Sequence, residues 1–223
     1  MGIISIEHSD RLLWLGRYCE RVYTTLRLFE KSYDTMIDLN KNQYVEFCAN
    51  LDIPNIYQSG EDFCVRYCFD ENDPNSIYSN LTRAYDNALV LREALGSEVL
   101  AYIQMAVYDM QKAKKSRAPL IELQKITDCL MAFWGMVDDA IDNRNVRNIL
   151  KTGKRIERIS LYGRLGTEDA AIQREVARLY NRIVQTELLY NQTHLTNLVM
   201  LAKHEDVGCT SLVVEVESLM NVG

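Results

Sequence analysis

From Leu12 onward, the apolar or weakly polar residues Leu12, Leu15, Cys19, Val22, Leu26, Phe29, Tyr33 and Met36 recur at alternating steps of three and four. That is the period of one buried helix face; a half-buried strand would alternate every second residue. Ser9 suits an N-cap, so the pattern predicts one long helix from about Asp10 to about Leu39. Little interrupts the rest of the chain, which holds three prolines and ten glycines in 223 residues.

A short helix is expected around Phe63, Tyr67 and Cys68, after a polar stretch. Asp73 and Pro74 read as the cap and first residue of the next helix, and Gly96 ends it. Ser97 begins another helix to about Lys115, Pro119 opens a further one through "VDDAID", and residues 145–165 form the next. Thr167 then suits the cap of a long helix through "EDAAIQREVARLYNRIVQTELLYNQTHLTNLVML", with a short terminal helix over Thr210–Met220. No segment alternates at period two, so the fold class is all-α, a helical bundle of about seven helices. A chain of this length buries a core without disulfide staples.

Residues 14–22 read "WLGRYCERV" and residues 151–159 read "KTGKRIERI". A shift of 137 residues lays 149–165 on 12–28, with six identities and four close matches in 17 positions. Gly16, Arg17, Glu20, Arg21 and Arg27 meet Gly153, Lys154, Glu157, Arg158 and Arg164. Such self-similarity predicts a duplicated Gly-[Arg/Lys]-x-x-Glu-Arg helix in pseudo-twofold halves. Residues 1–223 are accordingly read as a single all-helical domain, with a first half at about 9–115 and a second, shortened half at about 118–223.

Gly16 and Glu20 lie one turn apart on a strip beside the apolar seam, which places a carboxylate at the edge of the core, where it needs a partner. Across a pseudo-twofold interface, Glu20 is expected to face Arg158 or Arg164, and Glu157 to face Arg21 or Arg27. Two roles are open for this network. It fixes helix register, or its carboxylates and guanidinium groups line a cleft for an anionic or peptide-like ligand, with Glu20 and Glu157 as catalytic candidates.

Charge and composition exclude other classes. A net charge of −6 argues against wrapping nucleic acid through bulk charge, and "YDMQKAKKSR" reads as cations at a helix end. No stretch is apolar for long enough to be a leader or a membrane span, so a cytoplasmic protein is expected. The six cysteines, at 19, 48, 64, 68, 129 and 209, lack the spacing of a secreted framework and read as reduced, mostly buried thiols. A P-loop fails because Asn148 stands where its first glycine belongs. A di-iron centre fails because Ser5, Asn191 and Leu201, not glutamates, stand three before the histidines. Asp138, Asp139 and Asp142 form the Asp-Asp-x-x-Asp arrangement that holds Mg²⁺ on a diphosphate, with Asp138 and Asp142 expected on one helix face; no second acidic motif answers it. A solvated helix end explains it more simply, and no metal or other cofactor is expected.

Three blocks carry a resemblance to a known family. They are "RLLWLGRYCERVYTTLRL", "FDENDPNSIYSNLTRAYDNALVLREALGSEVLAYI" and "GMVDDAIDNRNVRNILKTGKRIERI", which span about residues 9–165. The chain resembles the bacterial alpha-E domain proteins. By that resemblance the family's polar signature falls on Gly16, Arg17, Glu20, Arg21 and Arg27. It continues on Asp70, Pro74, Ser76, Arg83, Asn87 and Arg92, and then on Gly153, Lys154, Glu157, Arg158 and Arg164. Asp73 stands where the family pattern has Asn, and residues 167–223 hold no second Asp…Pro-x-Ser block. The resemblance implies an accessory or binding component of a peptide or amide-bond modification system. Its implied partners are an ATP-grasp ligase and transglutaminase-like or proteasome-like proteins. It leaves open both an enzyme acting through Glu20 and Glu157 and a homodimer.

Overall fold

The structure is a computed structural model that describes residues 4–35, 42–203 and 209–221. In chain order the described residues form eleven helices: α1 Ile6–Asp34, α2 Gln43–Leu51, α3 Gly60–Phe69, α4 Ile77–Val90, α5 Arg92–Leu95, α6 Ser97–Ala113, α7 Pro119–Asp139, α8 Arg144–Arg164, α9 Asp169–Ile183, α10 Gln192–Leu201 and α11 Cys209–Ser218. There is no strand among them, as the all-α reading expects.

The helix count exceeds seven for local reasons. Between α4 and α6 the chain breaks at Leu91 and again at Gly96, whose φ of +80° suits a residue without a side chain. The long helix expected beyond Thr167 is two, α9 and α10. Its second start is set by Asn191, whose side chain accepts from the N–H groups of Thr193 and His194. Glu168, not Thr167, stands at the N-cap of α9.

Two other caps also differ. α1 starts four residues ahead of Asp10, with the Ser5 hydroxyl accepting from His8 N–H, so Ser9 lies inside the helix. α4 is capped by Ser76, which accepts from Ser79 N–H; Asp73 instead closes the preceding turn by accepting from Asn75 N–H. The expected end of the first helix, near Leu39, and Met36 with it, lie outside the described residues.

The chain divides into two compact units, residues 1–17 with 143–223, and residues 18–142. In the first, α8 begins under Asn143, whose side chain accepts from Asn145 and Val146 N–H. It buries Val146, Ile149, Leu150, Ile156 and Ile159. α9 buries Ile172, Val176, Leu179 and Ile183 and packs on α8, and α11, which buries Leu212 and Val216, packs on α8 and α10. Each such side chain contributes about 1.5–3 kcal/mol of apolar burial.

The second unit is built on the α6–α7 pair and on an aromatic cluster, in which Phe63 of α3 stacks on Tyr67 at 5.0 Å and meets Tyr57 edge-on at 4.9 Å. The Tyr57 hydroxyl donates to Asp73 at 2.8 Å, and burial together with that carboxylate pushes the phenol far above its usual range. Cys48, Cys64 and Cys68 border this cluster as free thiols. Burial pushes Cys48 and Cys64 up to about 11, with Asp73 and Glu61 adding to the shift. These thiols stay protonated in the native chain at pH 8, so modification by an aromatic disulfide reagent should be at least about tenfold slower than in urea. Stability should also fall with rising pH from about 9 to about 11, where the unfolded thiols ionise and the native ones do not. A flat urea midpoint across that window would contradict both expectations.

Candidate functional site

The glycines of the repeated hexads have a steric reason. A Cβ on Gly16 would stand 2.1 Å from the backbone oxygen of Leu150 and 3.1 Å from the nitrogen of Lys154. A Cβ on Gly153 would stand 2.0 Å from the oxygen of Leu13 and 3.2 Å from the nitrogen of Arg17. The two contacts are reciprocal: the 137-residue shift lays Leu13, Gly16 and Arg17 on Leu150, Gly153 and Lys154, so each contact is the counterpart of the other. Backbone therefore touches backbone where α1 crosses α8, a separation that only glycine permits, as small residues do wherever helices approach closely.

That crossing delivers Arg17 into the first unit. Its side chain is held under Trp14, with the guanidinium carbon 4.7 Å from the ring centre, and the residue is 6% exposed. Arg17 Nε donates to Glu157 at 2.8 Å and Nη2 to Glu217 of α11 at 2.7 Å. Glu157 is 2% exposed, whereas the Glu217 side chain is 33% exposed and takes a second bond, at 2.7 Å, from the Ser160 hydroxyl. Burial alone pulls the Arg17 guanidinium down; Glu157 and Glu217 outweigh it and hold the group above its ordinary value.

A second buried carboxylate, Glu175 of α9, is 5% exposed and gathers three cations of the same unit. Arg178 donates to it at 2.7 Å, Arg158 approaches to 3.8 Å, and Arg155 forms the shortest pair. Burial lowers Arg155; Glu175 restores part of that, and the neighbouring Arg158 and Arg178 add to the lowering, so the guanidinium stays below its ordinary value. Arg164 donates to the Ser160 hydroxyl at 3.4 Å, and Lys154 is half-buried.

In the second unit Glu20 is fully buried, and Thr24 donates to its Oε1 at 3.0 Å. Arg21 reaches Asn80 Oδ1 at 3.4 Å, and Arg27, exposed, donates to the Tyr23 hydroxyl. The Asp…Pro-x-Ser block is a turn-and-cap device. The Ser76 hydroxyl donates to Asp70 O at 2.5 Å, Asp70 Oδ1 accepts from Asn72 N–H, and Arg83 donates to Pro74 O at 3.2 Å. Asn87 is half-buried within α4, and Arg92 is exposed at the start of α5.

Glu157 takes a partner that the sequence did not single out, Arg17, the cation of the repeat's first copy. Arg17 follows Gly16 directly on α1, and its backbone nitrogen lies 3.2 Å from the Cβ position of Gly153, so the glycine crossing carries it against α8. The Asp-Asp-x-x-Asp arrangement does not share a helix face, because α7 stops at Asp139 and Asp142 lies in the segment beyond. All three aspartates are exposed, and no three His, Cys, Asp or Glu side chains gather as a metal group among the described residues.

Sequence reasoning missed Glu175, Ser160 and Glu217. Glu175 carried a signal, a charge set inside the stripe Ile172, Val176, Leu179 and Ile183. Glu217 carried none, since only the packing of α11 on α8 brings it to Arg17.

The Alpha-E family model, described as a predicted alpha-helical domain with a conserved ER motif, matches residues 8–199 of the 223. The chain belongs to the Alpha-E family. Its two Glu-Arg steps are Glu20-Arg21 and Glu157-Arg158, the first in α1 and the second in α8. No curated protein and no solved structure matches the chain. Within this Alpha-E chain, α11 and Glu217 lie beyond the matched span.

Proposed function

We propose that this Alpha-E protein is a non-catalytic helical component of a bacterial peptide or amide-bond modification system. It acts in the cytoplasm by binding an ATP-grasp ligase together with a transglutaminase-like or proteasome-like protein. The observation that carries the reading is the burial of both catalytic candidates: Glu20 accepts from Thr24 and Glu157 from Arg17. A general base must reach the proton it takes, and neither side chain is open to solvent. The resemblance in the hexads and the Asp…Pro-x-Ser block supplies the partner class.

The reading is tested by mixing the full chain with a purified ATP-grasp ligase and a transglutaminase-like protein from the same organism, and following sedimentation and ligase ATP turnover. A co-sedimenting complex with altered turnover is expected. A chain that cleaves or forms peptide amides alone, and loses this in a folded Glu20→Gln or Glu157→Gln variant, would replace it with the paired-carboxylate enzyme. Sedimentation of the chain by itself at two concentrations reports any homodimer.

A further inference from the structure

In the second unit two guanidinium groups converge on one ring. Arg21 of α1 lies 6.0 Å and Arg83 of α4 lies 5.9 Å from the ring centre of Tyr18. All three side chains are half-buried, so the group borders solvent while its floor is fixed. The floor is the cap of α4. Asn80 Nδ2 donates to Ser76 O at 2.7 Å and reaches Pro74 O at 3.4 Å, its Oδ1 accepts from Arg21, and Pro74 O also accepts from Arg83. The amide of Asn80 is therefore committed on both sides, and it orients Arg21 without competing for a ligand.

Arg83 decides what such a place attracts. One of its N–H groups goes to a carbonyl and its face to a tyrosine, and no carboxylate pairs with it among the described residues. By contrast, the half-buried Arg155 and Arg158 of the first unit both meet Glu175. A partly desolvated guanidinium keeps its charge at any physiological pH, so Arg83 beside the Tyr18 ring makes a local positive potential in a chain of net charge −6. The Arg83 edges not used by Pro74 offer parallel N–H donors, the geometry that suits a planar carboxylate, and Tyr18 supplies an apolar wall beside them.

We propose that Tyr18, Arg21 and Arg83 form a binding site for a peptide carboxylate. This rests on the reading of the protein as a component of a peptide-modifying system and names the chemical group it takes from the substrate or partner. Arg83 grips the carboxylate, Arg21 adds charge, and the Tyr18 ring packs against the adjoining aliphatic part.

The test uses the full chain and three probes, followed by the resonances of the arginine Nε–H groups and the Tyr18 ring: acetyl-trialanine with a free C-terminus, its C-terminal amide, and inorganic phosphate. Saturable binding of the free acid is expected, at least about tenfold weaker for the amide and for Arg83→Gln, and partly retained in Arg83→Lys. Lys112→Gln, an exposed cation elsewhere on the unit, should bind as the parent does, and circular dichroism melts should show each variant folded. The site is overturned if Arg83→Gln binds the free acid as well as the parent, if the amide binds equally, or if only phosphate saturates. Failure here with an intact complex between the chain and its ligase removes this site and leaves the partner reading standing.

Discussion

Gly153→Ala is expected to destabilise the protein by about 2 kcal/mol or more, although alanine is the better helix former by roughly 1 kcal/mol. The reason is geometric. The added carbon would stand 2.0 Å from the Leu13 oxygen and 2.9 Å from its carbonyl carbon, so α1 and α8 must separate. Backbone cannot rotate aside as a side chain can, and every contact along the crossing loosens with it, including the approach of Arg17 to Glu157. Gly16→Ala should behave alike, with 2.1 Å to the Leu150 oxygen. Gly135, exposed about one turn before the end of α7, has nothing within 4 Å of its Cβ position. There the same substitution should stabilise by roughly 0.5–1 kcal/mol through propensity alone. Urea denaturation of the three variants reads opposite signs for one chemical change; equal shifts at Gly135 and Gly153 would remove the tight crossing.

Arg17→Met should cost about 3 kcal/mol or more, because it strips a buried carboxylate of the guanidinium 2.8 Å away. Glu217 suffers less, since a third of its side chain reaches water and Ser160 still donates to it. The loss should appear in stability at neutral pH and vary little with salt, since buried pairs are screened far less than exposed ones. A loss that disappears in 1 M salt would place Arg17 at the surface instead.

Much of this was legible in the sequence because helix burial is periodic. The steps from Leu12 to Phe29 mark residues that are all buried, and Pro119, Gly96 and Asn143 stand at element ends as their backbone chemistry requires. The repeat singled out Gly16, Gly153, Glu20 and Glu157, and all four are buried. What it did not contain was which guanidinium meets which carboxylate. Arg17, Arg21 and Arg27 lie on one helix within a few turns, and choosing among them takes the crossing geometry that the glycines set. The break between α9 and α10 was missed because apolar residues continue through Leu188 and Leu189 while the chain leaves the helix, so periodicity alone carried the pattern past Asn191. Glu217 enters from a helix far along the chain, and nothing local to "VVEVESL" marks its partner.

The reading of the repeated Gly-Arg-x-x-Glu-Arg helix as a lock between helices, rather than a reactive site, is tested most directly by a double-mutant cycle. Arg17→Met, Glu157→Leu and the double variant would be compared by urea denaturation. Arg17→Met should lose about 3 kcal/mol and Glu157→Leu somewhat less, since Glu217 still pairs with Arg17, and the double variant should regain at least about 1 kcal/mol of the summed loss as an apolar pair replaces the ion pair. Single losses within about 0.5 kcal/mol of zero, and a double variant that merely adds them, would contradict it and put Arg17 and Glu157 in an open, solvated site.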